Sequence, residues 1–347
     1  MSSEPLRIGV AGLGRIGWNF HCRRLADHPD FSLVAVADTD PDRRAEANST
    51  YGCTGHESFD EMLDNAALDA VVVATPTHLH EAMTLNAFEH GLHVLLEKPM
   101  AMDYAEAERI VRAAEDAGRV LTVYQPHRLN AYFQHLKALI ESGRIGRLTR
   151  IQRGSFSYSR RNDWQSLLKF GGGMLSNYGA HFLDQVMQLI GYDIERVTCN
   201  LQLVASLGDA DDVVDVTLRT TSGVVGNCLI SQASVIKPYE FIAWGTHGGI
   251  ELAANTFTVK SFDPTALPPK EVDPSLGSAD RKYPSDALDL REETIPVDPA
   301  FGIDVFANFA DAIRNGAPLA APPRQTLQLM AVIEKCRTSA GDIRTVK

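Results

Sequence analysis

The hydrophobic pattern of this chain changes character near residue 125. Before that point, short apolar runs recur at Ile8–Ala11, Leu33–Ala37, Ala70–Ala74, Val94–Leu96 and Leu121–Tyr124. Helical patterns such as Glu81–His90 and Ala105–Ala117 lie between them, the latter closed by Gly118. A run apolar at every position, such as Ala70-Val71-Val72-Val73-Ala74, marks a strand buried on both faces. The alternation predicts a parallel sheet with helices on both sides over residues 1–125. After Gln125-Pro126 a helix pattern at Tyr132–Ser142 ends in Gly143. Strand-like stretches follow at Leu148–Tyr158, Arg196–Leu207, Val213–Thr221, Gly223–Ala233 and near Phe241–Trp244. They predict an antiparallel or mixed sheet in a second α/β domain, residues 126–347. Residues 262–298 are rich in Pro, Asp and Ser and read as a long excursion or flap. A helical pair, Ile303–Asn315 and Gln325–Ala340, closes the chain and can pack back on the first domain.

Composition narrows the class. At 347 residues the chain has room for two cores. A net charge of −11 speaks against nucleic acid or an anionic membrane as partner, though not against a small neutral substrate. No apolar run approaches the roughly 18 residues of a membrane span, and Met1–Pro5 is too short and polar for a signal peptide. Cys22, Cys53, Cys199, Cys228 and Cys336 are odd in number and lack a C-x-x-C pair. They read as reduced thiols of a cytoplasmic protein.

The chemistry begins at the first turn. Leu6–Ala11 runs into Gly12-Leu13-Gly14-Arg15-Ile16-Gly17, a G-x-G-x-x-G, and the next apolar run stops at Asp38, 21 residues after Gly17. Gly12 permits the tight turn, Gly14 lets backbone approach a pyrophosphate, and Gly17 lets the helix sit close to the strand. Free N–H groups and the positive end of the new helix then hold the phosphates. Asp38 accepts hydrogen bonds from a ribose. Glycines alone would fit any tight βα turn, whereas strand, helix and acid together predict a dinucleotide site. Asp38 favours NAD, because a carboxylate repels the 2′-phosphate of NADP; Arg43 and Arg44 soften that preference, leaving NADP as the other option.

Three further loops follow predicted strand ends: Thr75-Pro76-Thr77-His78-Leu79-His80, Glu97-Lys98-Pro99 and Tyr124-Gln125-Pro126. Ligands of open α/β sheets bind at such carboxyl ends, so these loops are expected to frame the nicotinamide half of the cofactor. His78 and His80 form an H-x-H with no third ligand nearby, so no metal is expected. Gly171-Gly172-Gly173 heads a helix on which Asn177, His181, Asp184 and Gln188 share one polar stripe. The glycines suit a close approach of backbone to ligand or a tight turn. Arg128, Tyr158, Arg160, Arg161, Asp163 and Trp164 lie on segments expected to face the nicotinamide, where an aromatic with charged neighbours suits a sugar.

Taken together, the chain resembles the Gfo/Idh/MocA oxidoreductases, among them glucose–fructose oxidoreductase and inositol dehydrogenases. The resemblance rests on Gly12–Gly17, Thr75-Pro76 with His80, Glu97-Lys98-Pro99, Gly179-Ala180-His181-Phe182-Leu183-Asp184 and Phe306-Ala307-Asn308-Phe309 with Asp311-Ala312-Ile313. It implies an N-terminal Rossmann domain and a C-terminal domain on an open mixed, largely antiparallel sheet whose outer face makes dimers or tetramers. It also implies that Lys98, before a cis proline, lies near the nicotinamide and the reacting hydroxyl, and that His181 transfers the proton. Cofactor contacts are expected from Gly12, Gly14, Arg15, Ile16, Gly17, Asp38, Thr75, Pro76, His80, Glu97, Lys98 and Gln125. Substrate contacts are expected from Lys98, Arg128, Tyr158, Trp164, Asn177 and His181.

One position departs from the family. Many of these dehydrogenases carry Asp four residues before the histidine, where this chain has Asn177. Asn177 is expected to orient the substrate or His181 without adding charge. The expected reaction is hydride transfer between a nicotinamide cofactor and a secondary hydroxyl of a sugar, sugar derivative or cyclic polyol. Two rivals stand beside it: an NAD-retaining glycosidase working by transient oxidation and elimination, and a dinucleotide-sensing regulator.

Overall fold

The computed structural model describes residues 4–272, 274 and 285–346. Six parallel strands form the first sheet: β1 (Leu6–Ala11), β2 (Phe31–Ala37), β3 (Thr54–His56), β4 (Ala70–Val73), β5 (His93–Leu96) and β6 (Leu121–Val123). Their order is β3-β2-β1-β4-β5-β6. The order reverses between β1 and β4, so a crevice opens at their carboxyl ends, where the glycine turn lies. Local chemistry sets the boundaries of the helices. Asp103 caps the helix Tyr104–Ala117 by accepting from Glu106 N at 2.9 Å, and Gly118 ends it at φ +61°.

The second sheet has nine strands: β7 (Leu148–Phe156), β8 (Ile194–Leu203), β9 (Val213–Thr220), β10 (Val225–Ser231), β11 (Phe241–Gly245), β12 (Gly248–Ala253), β13 (Thr256–Ser261), β14 (Arg291–Pro296) and β15 (Arg344–Thr345). The order is β14-β13-β12-β11-β7-β10-β9-β8-β15, with β7–β10 and β8–β15 parallel and the other pairs antiparallel. Burial alternates along β9, because only one face is covered. Helices Ala180–Ile190 and Pro323–Ala340 cover it, packing Phe182, Val186 and Ile333 into one core with Ile151, Val216 and Ile230. The other face carries Trp244, with Arg150 lying 5.4 Å over its ring.

The sequence pattern misses several elements. β3 and β15 are too short to show a period, while β12 and β13 turn tightly about Ala254 and Asn255, both at positive φ. The segment read as a flap is partly regular: β14 pairs with β13 along its full length. The part of that reading over 273 and 275–284 lies outside the described residues. The chain's end also returns to the first sheet. Helix Val305–Asn315, capped by Asp304, buries Phe306 and Phe309 against Phe31, His21 and Tyr124. Among the described residues no helix is long and apolar enough to cross a membrane.

Phe306 is fully buried where helix Val305–Asn315 meets the first sheet. Phe306→Ala is expected to lower stability by about 3–5 kcal/mol, read by urea denaturation. A loss below 1 kcal/mol would mean that this docking contributes little.

Candidate active site

Gly12 sits at φ +90°, and a Cβ there would lie 2.6 Å from the Ala74 carbonyl oxygen. A Cβ on Gly17 would run into the carbonyl oxygen of Gly12, whereas one on Gly14 would meet nothing. Gly12 and Gly17 therefore let β1, β4 and the helix over 15–26 pack tightly, and Gly14 leaves open space at the helix start. That helix contains a π-wound stretch, Gly17–Cys22. Arg15 is exposed and Ile16 half-buried beside the opening. Asp38 braces the turn: one carboxylate oxygen accepts from Leu13 N at 2.7 Å and the other from Asp40 N at 3.0 Å. Arg43 lies 3.5 Å from the first oxygen, and Arg44 donates to the Asp38 carbonyl at 2.7 Å. A carboxylate has about four acceptor sites, so Asp38 retains capacity for a ribose. These residues fit a dinucleotide: open backbone at a helix N-terminus, rimmed by an acid and an arginine.

The ends of β4 and β5 are held from beneath. Thr75 is half-buried and Pro76 exposed at the crevice. His80, expected at the cofactor, is instead buried, with Nδ1 2.9 Å from the Pro99 carbonyl and Nε2 2.9 Å from that of Thr75. It ties the two loops together and has no nitrogen left for a ligand or metal. Glu97 is also internal. Its Oε1 meets His21 Nε2 at 2.8 Å, and its Oε2 accepts from Lys98 N at 3.0 Å, joining the end of β5 to the helix after the glycine turn. The Lys98–Pro99 bond is cis.

Lys98 Nζ donates to Asn177 Oδ1 at 2.7 Å, linking the first sheet's loop to the start of the helix that bears His181. Asn177 Nδ2 donates to Gln165 Oε1 at 3.2 Å. Asn177 thus serves Lys98, and the group that orients His181 is Gln125. Gln125 Nε2 donates to the Ala180 carbonyl at 3.2 Å, which leaves Oε1 to accept from His181 Nδ1 at 3.1 Å. With its proton on Nδ1, His181 keeps Nε2 as a proton acceptor. Burial, followed by the charge of Lys98, holds His181 well below the usual imidazole range. Burial also brings Lys98 down to about 8, against the opposing pull of Glu97.

Arg128 is not a substrate group. Its Nε donates to Asp184 Oδ2 at 2.8 Å and its Nη1 to Gln325 Oε1 at 2.7 Å, all in the interior. The polar stripe therefore divides. Asn177 accepts from Lys98 and His181 lies close enough to feel its charge, while Asp184 and Gln188 grip Arg128 and Gln325. The glycine run serves internal packing: Cβ atoms on Gly172 and Gly173 would strike the Gln165 carbonyl and Asp211. Arg161 pairs with Asp163 at 2.6 Å, and Arg160, Tyr158 and Trp164 are exposed, with no hydrogen bond or ion pair to Lys98 or His181 among the described residues. Sequence reasoning missed His127, whose ring centroid lies 4.4 Å from that of His181, and Arg153, buried beneath Phe182. Arg153 left one trace, falling in phase with Ile151 on a strand.

Residues 6–125 match the oxidoreductase family described as having an NAD-binding Rossmann fold, and residues 133–251 match the GFO/IDH/MocA C-terminal domain. The chain belongs to the Gfo/Idh/MocA family. Members similar to it include scyllo-inositol 2-dehydrogenase (NADP(+)) of Bacillus subtilis, 25% identical over 99% of this chain and 96% of that protein. Myo-inositol 2-dehydrogenase of Thermotoga maritima is 28% identical over 64% of this chain and 67% of its own. Among solved structures, the WlbA dehydrogenase of Bordetella pertussis, in complex with NADH and UDP-GlcNAcA, has a TM-score of 0.77 at 26% identity, covering 97% and 96% of the two chains. The protein is an NAD(P)-dependent oxidoreductase of that family, with its parallel Rossmann sheet and mixed, mostly antiparallel second sheet.

Removing one partner of a buried ion pair leaves an uncompensated charge. Asp184→Ala is expected to cost about 3–5 kcal/mol in urea denaturation. Stability within 1 kcal/mol of the parent would contradict the structural role given to Arg128.

Proposed function

We propose that this protein oxidises a secondary hydroxyl of a sugar, sugar derivative or cyclic polyol, or runs the reverse reduction. The observation that carries the reading is the convergence of Lys98 and His181 from separate segments at the mouth of the first sheet, with His181 Nε2 left as acceptor. The inositol dehydrogenases among its relatives support the substrate class. A nicotinamide dinucleotide, when bound, supplies the hydride carrier. His181 takes the hydroxyl proton at Nε2, a contribution of about 10²–10⁴-fold. Lys98 donates to the developing alkoxide, a role worth about 2.7–4 kcal/mol per donor in comparable sites. Asn177 and Gln125 aim these two groups and carry no charge themselves. Gly12, Gly14, Arg15, Ile16, Gly17 and Asp38 hold the dinucleotide, with Thr75 and Pro76 at its nicotinamide end, and Asp38 favours NAD over NADP. The exposed loop over 158–164, with Tyr158 and Trp164, forms the outer substrate wall. Residues 1–125 act as the cofactor domain and 126–347 as the substrate domain. The open sheet face around Trp244 seats a second copy as a dimer or tetramer, and the five buried free thiols suit the cytoplasm. The glycosidase and regulator readings gain no observation of their own.

With NAD and a panel of polyols and sugars, Lys98→Ala and His181→Ala are each expected to lower kcat by at least about a hundredfold. NADH affinity, read by fluorescence, should stay within a few fold. Near-normal turnover in both variants would end this reading. Lys98 titrates at about 8, so kcat/KM should fall above that pH as the amine loses its charge. Asn177→Asp sets a carboxylate against the amine, favours its charged form and should move that alkaline limb upward. A limb that stays put would show that Lys98 does not set it.

A further inference from the structure

Behind His181 lies a layer that the proposed reaction does not use. His127 packs its ring 4.4 Å from that of His181 and edge-on to Phe182 at 5.5 Å. Its Nδ1 lies 3.2 Å from the Tyr132 hydroxyl, which accepts from Gln185 Nε2 at 3.0 Å. Beneath the same Phe182, at 3.9 Å, sits the guanidinium of Arg153, which also lies 4.6 Å over Phe241. Its hydrogen-bond acceptors are neutral: Gln185 Oε1 at 3.1 Å and the carbonyls of Gly154 and Glu240. Among the described residues no carboxylate reaches it within 4 Å; the Glu240 carboxylate, Tyr132 and Cys228 are the other titratable groups near it. A buried cation with no carboxylate in direct contact is costly, and its place behind two imidazoles calls for a reason.

We propose that Arg153 and His127 are positioning residues that keep His181 unprotonated, a buried fixed charge and a second ring standing behind the imidazole. The inference rests on the reading of His181 as the proton acceptor. The groups facing His181 are Lys98 from the end of β5, His127 from the turn Pro126–Leu129, Arg153 from β7 and the neutral amide of Gln125. None of them is anionic. The acid one turn on, Asp184, is held by Arg128. His127 faces Arg153, Lys98 and the Tyr132 hydroxyl; burial first, then the two cations, brings it down to about 4. Protonating either ring therefore places a new positive charge beside existing ones in a dry interior, and both rings remain neutral well into the acid range. His181 is thus a weak base that is always available, and activity should persist at pH values where an ordinary imidazole would already be charged.

The test measures the titration of His181 directly, in the full-length protein labelled with 13C at histidine Cε1, by NMR. His181→Gln assigns the resonance. Arg153→Met removes the charge but keeps a long apolar side chain against Phe182 and Phe241. It is expected to raise the His181 midpoint by about 0.5–1 pH unit, with the acid limb of kcat/KM moving the same way. Arg153→Lys should restore the parent midpoint, which a purely structural role would not require. His127→Gln, which can still bond to Tyr132, should raise the midpoint too and serves if Arg153→Met does not fold. An unchanged midpoint in either folded variant overturns the proposal. A raised midpoint with an unmoved acid limb supports it while removing His181 from proton transfer.

Discussion

The site depends on one internal ion pair, Arg128 with Asp184. Arg128 sits in the turn that leaves β6, and Asp184 lies three residues after His181. Their bidentate contact, extended to Gln325 on the last long helix, sets the axial position of Ala180–Ile190 against the end of the first sheet. Once that register is set, Gln125 and His127 fall beside His181 because they precede Arg128 in the chain. A slip by one residue would rotate His181 by about 100° around the helix and part it from Gln125. The bond matters less for its strength than for its position. It converts the packing of one helix against the end of the first sheet into the placement of one imidazole.

The site is organised so that its permanent charges are cations or closed pairs. Glu97 is taken by His21 and the Lys98 backbone, Asp163 by Arg161, and Asp184 by Arg128. Asn177 continues the pattern, since it accepts from Lys98 without adding a charge. This suits the proposed role of His181, because a neutral imidazole becomes charged only when it has taken a proton. Lys98, brought down by burial, sits closer to neutrality than a surface amine and holds its proton less firmly.

The parallel sheet and glycine turn were legible in the sequence because period, glycine spacing and acid all follow from local backbone rules. Lys98 and His181 were singled out by resemblance to the family and not by spacing. The partners of these residues were not legible. Asn177 and His181 lie four apart on one helix, so spacing alone invites pairing them, yet the tertiary fold sends Asn177 to Lys98 and gives His181 to Gln125. Arg128 read as a ligand group because an arginine near a strand end is commonly exposed; only the placement of Asp184, 56 residues away, makes it internal. The glycines at 171–173 were consistent with ligand or with packing, and crowding by Gln165 and Asp211 decided for packing. Side-chain pairing across long sequence separations leaves no periodic trace.

The contact between Asp38 and Leu13 N has a consequence for anyone altering nucleotide choice. The carboxylate proposed to discriminate at the ribose also fastens the glycine turn proposed to hold the diphosphate. Substituting a small neutral side chain to admit a phosphorylated ribose would unpin that loop in the same stroke. On that proposal recognition and rigidity share one side chain, so a redesign that changes the first must restore the second, for instance by supplying another acceptor for that amide.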